Sequence, residues 1–142
     1  MRVTKSLVLL AALSLCIIAA APAGSPERPA APRLENLLVQ QLNGKFTPGR
    51  EVIVTYVEIP PNTTLERHWH PGEEFHYYLE GEAEITIEGQ EPFVGKPGTV
   101  GHIPFRKLHT AASGEQGAKV IVFRVHETGK PVRYLEGGSE ER

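Results

Sequence analysis

From Leu34 onward the chain never sustains an apolar stripe at helical spacing. Short alternating or fully apolar runs are instead cut by Gly, Pro or Asn, at intervals of roughly 8–12 residues. Fourteen glycines and twelve prolines in 142 residues supply the breaks. Segments this short cannot complete useful helices but suit strands joined by tight turns, so the expectation is an all-β sandwich or barrel.

The runs can be placed one by one. Residues 37–42 form a first strand, closed by the turn signal Asn43-Gly44. Residues 51–59 follow, with Val52, Val54 and Tyr56 on one face and Ile53, Thr55 and Val57 on the other. Apolar groups on both faces mark a strand covered on both sides. After Pro60-Pro61-Asn62, residues 65–70 resume an extended run, and Pro71-Gly72 turns the chain into 74–79. Glu80-Gly81-Glu82 reads as a tight connection to 83–87, and Pro92-Phe93-Val94, 99–103, 108–112 and 119–126 complete the set. Glu80, Glu82, Glu84 and Glu88 fall on the exposed face and ends of a hairpin, where they serve solubility.

The chain outside these strands divides simply. Residues 1–23 read as a cleavable signal segment, with Arg2 and Lys5 before an apolar run over 6–20 and the small residues Ala21-Pro22-Ala23 at the cleavage position. About 15 apolar residues fall short of a membrane span, so no stable span is expected after processing. A lipid anchor on Cys16 would place bulky Leu15 where such signals carry a small residue. The chain is therefore expected to be exported, secreted or periplasmic. Residues 24–33 form a flexible lead-in, 34–128 the barrel, and 129–142 a polar tail that should fray. Cys16 is the single cysteine, so cleavage leaves no thiol and no disulfide, and the fold must rest on its packed core. The formal charge is -2 with Lys and Arg scattered, which gives no footprint for nucleic acid.

All 17 acidic residues are Glu, so any carboxylate chemistry falls to glutamate. His68-Trp69-His70 is the most informative tripeptide: alternation along a strand sends both imidazoles to one face and Trp69 to the other. Glu74 follows beyond the Pro71-Gly72 turn, where a neighbouring strand can bring its carboxylate to the same point. His109 can add a ligand from a later strand. Two histidines and a carboxylate form the facial arrangement that leaves metal coordination positions open. The predicted metal ligands are thus His68, His70, Glu74 and His109, with Glu74 as either ligand or base. His76 and Tyr78 share the inward parity of Glu74 and are pocket candidates, with Arg106 as a third. Arg106 and Lys107, on the loop before His109, could steer an anion to the barrel mouth. His102 and His126 read as structural, and Trp69 as packing on the outer layer.

Over His68-Trp69-His70-Pro71-Gly72-Glu73-Glu74 and Gly81 the chain resembles the cupin superfamily, in particular its small single-domain members. Lys96-Pro97-Gly98, Ile103-Pro104 and His109 resemble the second cupin motif, with Arg106 where the family usually has glycine and Ser113 where many members have asparagine. The resemblance implies a double-stranded β-helix, or jelly-roll barrel, holding one divalent metal ion. Fe(II) is the first choice, with Mn(II), Ni(II), Cu(II) and Zn(II) as competitors. It also implies a mononuclear metal-dependent enzyme, a dioxygenase or an isomerase, acting on a small oxygenated organic molecule. The alternative is a non-catalytic module that binds a metal or small ligand. Related barrels often pair strands into homodimers.

Overall fold

A computed structural model describes residues 30–138; the signal segment, Cys16, most of the lead-in and the last four residues of the tail lie outside that range. The described chain contains eight strands and no helix: β1 (Arg33–Gln41), β2 (Arg50–Ile59), β3 (His68–Trp69), β4 (Gly72–Ile87), β5 (Phe93–Gly95), β6 (Val100–Ile103), β7 (His109–Glu127) and β8 (Tyr134–Leu135). All pairings are antiparallel, and together they form one curled sheet consistent with a jelly roll.

Two long strands do the curling. Residues 118–127 of β7 run between β2 and the first half of β4, whereas 109–113 run between the second half of β4 and the segment around Thr64 and His68. One half of the barrel is therefore β1-β2-β7-β4-β6, and the other is β8-β3-β7-β4-β5. The predicted break at Glu80-Gly81-Glu82 is not a hairpin turn. β4 continues through it with register shifts between Tyr78 and Glu80 and between Gly81 and Ala83, because β7 stays paired on both sides of the irregularity. Gly81 has φ 64, and a Cβ there would lie 2.0 Å from the Gly117 carbonyl oxygen, so only glycine lets the two chains approach at this bend. The separately predicted 108–112 and 119–126 likewise belong to one strand.

The inward parity of β4 is as read from the sequence, whereas β2, expected to be covered on both faces, buries Ile53, Thr55, Val57 and Ile59 and leaves Val54 and Tyr56 half-buried. Ile53, Val57 and Ile59 of β2, Tyr78, Ala83, Ile85 and Ile87 of β4, Ile103 of β6, and Ala118, Val120 and Val122 of β7 are buried. Most of them form one cluster, against which Leu65 and Phe93 pack. The Tyr78 ring lies over Gly95, where a Cβ would come within 1.9 Å of its Cζ.

The tail differs from expectation. Tyr134 and Leu135 pair with Trp69 and His68 as β8, and the Tyr134 ring stacks on Trp69 at 4.3 Å between centroids. The buried His126 accounts for this return: its Nε2 lies 3.1 Å from the Pro131 carbonyl oxygen and ties down the connection. The Gly and Ser content suggested fraying, but the stacked pair of aromatics and the strand pairing outweigh it.

Candidate metal centre

His68 and His109 are register partners across β3 and β7, so their side chains meet face to face inside the barrel. His70 lies just beyond β3, on the same side as His68. The three rings are mutually adjacent, with centroid separations of 4.9, 4.4 and 5.1 Å, and one ligand nitrogen from each lies within 4.8 Å of the others. All three residues are buried.

Their hydrogen bonds decide what those nitrogens can do. His68 Nδ1 lies 2.7 Å from the Glu66 carbonyl oxygen, His70 Nδ1 2.5 Å from that of Val132, and His109 Nδ1 2.9 Å from that of Lys107. A carbonyl only accepts, so each Nδ1 carries a proton and each ring turns its Nε2 inward. Burial, with the neighbouring imidazoles, pushes His68 down to about 3. Burial also pushes His109 down to about 4. Both are therefore neutral ligands at ordinary pH. Nε2 of His70 and of His109 are buried without a hydrogen-bond partner, the state expected of a nitrogen built for a metal.

Glu74 stands beside them on β4. Its Oε2 is 2.8 Å from His70 Nε2, and its Oε1 is 3.7 Å from His109 Nε2 and 2.5 Å from His76 Nε2. A bare nitrogen facing a carboxylate oxygen requires either a second proton on His70 or a shared cation; the three histidines form the group that could hold such an ion, with Glu74 beside His70 and His109. The donor set therefore fits such an ion. Burial alone would raise the Glu74 carboxyl, but His70 and the Arg124 guanidinium hold it well below the usual carboxylate range.

His76 and Tyr78 line the same cavity, as their parity required, and Tyr78 Oη is 3.2 Å from His76 Nδ1. With Tyr78 donating there, His76 donates through Nε2 to Glu74. Burial, then the Glu74 charge, pushes the Tyr78 hydroxyl up and keeps it protonated.

Arg106 does not belong to this cavity, which corrects the sequence reading. It lies over the rings of Trp69 and Phe105, in a separate surface cleft with Lys107 and Leu135. Its φ of 56 is the left-handed conformation that a glycine would adopt freely, and this turn aims the side chain outward. His102 is exposed and pairs with Glu73 at 2.6 Å.

The sequence reading missed Arg124. It is the register partner of Glu74, is buried, donates through Nε to Glu74 Oε2 and through Nη1 to Thr55 Oγ1 at 3.1 Å, and lines the cavity. A signal was present: Arg124 shares the inward parity of Val120 and Val122. The Val132 carbonyl that orients His70 comes from the supposed tail and carried no sequence signal.

The comparisons agree with this architecture. The cupin domain family (Cupin_2) matches residues 55–135, more than half of the chain, and the protein belongs to that family. No curated protein matches the chain in sequence. Among solved structures it is similar to a cupin-like protein from Thermotoga maritima, at 21% identity and TM-score 0.58, over 78% of this chain and 79% of that one. It is also similar to the DMSP lyase DddQ from Ruegeria pomeroyi, at 24% identity and TM-score 0.57, over 63% of this chain and 45% of the lyase. Oxalate decarboxylase from Bacillus subtilis matches at 19% identity and TM-score 0.55, over 72% of this chain and 30% of that enzyme. The chain thus spans under half the length of the two enzymes, and at these identities the likeness establishes the fold alone.

Proposed function

We propose that the protein is an exported, mononuclear metal-dependent enzyme of oxygenase type that acts on a small oxygenated organic molecule. The observation that carries the metal is the set of three buried imidazoles whose Nδ1 protons are fixed by backbone carbonyls, with the Glu74 carboxylate against their inward nitrogens. His68, His70 and His109 would hold the ion, with Glu74 as fourth ligand. When bound, a six-coordinate ion with four protein ligands keeps positions for substrate and dioxygen or water. Iron(II) is the first candidate.

The chain's own residues support catalysis rather than storage. The ligands line a cavity of about 70 Å³, walled mainly by apolar side chains such as Leu65, Ile85 and Val122. Space beside the ion is what a closed structural site would lack. Glu74 is held ionised beside the ligands, with His76 and Tyr78 behind its Oε1. Export rests on the sequence of residues 1–23.

The test is metal content by mass spectrometry after exposure to each candidate ion, followed by oxygen consumption with a panel of small oxygenated substrates. About one ion per wild-type chain and at least a tenfold lower content in His109→Ala are expected. A wild-type protein that retains no ion would refute the metal centre; retained ion with no oxygen uptake would refute the oxygenase assignment.

A further inference from the structure

The cavity holds more positive charge than its metal site needs. With an ion on their inward nitrogens the imidazoles are neutral, and Glu74 and Arg124 then cancel, Glu74 Oε2 accepting from Arg124 Nε. A divalent ion at the histidines would then leave both of its charges uncompensated in a buried, mostly apolar space, one carboxylate away from a guanidinium. An uncompensated buried charge is expensive unless paired, so this arrangement favours an incoming anion. Two of the three guanidinium nitrogens are engaged, Nε with Glu74 and Nη1 with Thr55, which leaves Nη2 as a donor. At the open end of the cavity the exposed Arg133 adds a second positive side chain beside Leu34. Apart from His76 and Tyr78, which bond to each other, the rest of the wall, including Ile59, Leu65, Ile85 and Val122, offers apolar contact.

On these grounds, and resting on the metal centre proposed above, we propose that the ligand of this cavity is a small carboxylate with a short apolar body. Arg124 is the residue that selects its charge: one end of the ligand faces the ion and Arg124, and the body lies against the apolar wall. A neutral isostere of the same shape would leave the ion and the guanidinium without their counter-charge. Arginine suits this task better than lysine because its planar fork can serve Glu74 and a ligand oxygen together.

The test uses the full chain loaded with nickel(II), which air does not oxidise, and compares sodium butyrate with butyramide by titration calorimetry. Metal content is measured on every sample. Wild type is expected to bind butyrate at least tenfold more tightly than butyramide. Arg124→Gln, at equal nickel content, should narrow that preference to less than threefold, because the ion alone then distinguishes the two. Arg124→Lys, which keeps the charge without the fork, should weaken the preference at least threefold and decides the matter if the glutamine variant does not fold. Equal affinity for butyrate and butyramide in nickel-loaded wild type would overturn the inference. So would an undiminished preference in nickel-loaded Arg124→Gln or, where that variant fails to fold, in Arg124→Lys. A wild-type chain without nickel overturns the metal centre and this inference with it, whereas nickel without charge preference overturns this inference alone.

Discussion

The two halves of β4 present their inward faces to the same barrel interior and make different use of it. In the first half the inward residues are Glu74, His76 and Tyr78, all polar, linked by hydrogen bonds and set opposite Arg124 and Val122. In the second they are Ala83, Ile85 and Ile87, which contribute to the hydrophobic cluster. Burial is nearly complete in both. One half excludes water to gain stability; the other excludes it to strengthen the electrostatics of a site, and there every polar group needs a partner. The register irregularity at Tyr78–Ala83 separates the two uses.

Four experiments break or sharpen this contrast. Glu74→Ala should have the largest effect, because it leaves Arg124 as a buried charge without its counter-ion, a change that typically costs 3–5 kcal/mol, about half of a domain's stability. Urea unfolding of the metal-free protein measures it, and a loss under ~1 kcal/mol would show that water already reaches Arg124. In the apolar half, Ile85→Ala should cost about 3 kcal/mol through lost burial and a residual cavity, yet leave metal content unchanged. Loss of metal in that variant would mean that the halves are not independent.

The third experiment is pH. The folded protein titrates His68 near 3 and His109 near 4, against 6.5 for the ordinary side chain, so between those limits the unfolded chain binds more protons. The metal-free protein is therefore most stable above pH 6.5 and loses stability as pH falls toward 4. The loss should be on the order of 2 kcal/mol per histidine between pH 7 and 5. Thermal melts at the two pH values measure this, and replacing His109 with Asn should remove about half of the dependence; an unchanged slope would contradict the burial of these rings. The smallest effect is expected at Arg106. Arg106→Ala should leave metal content unchanged and alter stability by no more than about 1 kcal/mol, because the side chain rests on the rings of buried Trp69 and exposed Phe105, outside the cavity. Metal loss there would place the loop, rather than the strands, in control of the site.

The all-β fold, the inward parity of β4, and the convergence of His68, His70 and His109 followed from alternation, turn residues and a motif, all of which are local patterns written in consecutive residues. Glu74, His76 and Tyr78 were placed on one inward face by the same rule. What remained hidden depended on which strand lies beside which. The pairing of Glu74 with Arg124 is set by the register between residues 50 positions apart, and no local pattern encodes it. The continuity of β4 and β7 through their glycines depends on each strand supporting the other, so each looked like two strands when read alone. The sequence alone therefore determined the class of fold and the three histidines that could hold a metal ion, because periodicity is a local property of the backbone. Tertiary structure alone decided the charge balance around them, the turn that sends Arg106 outward, and the return of the tail that fixes His70 through Val132, because these are properties of neighbours distant in the chain.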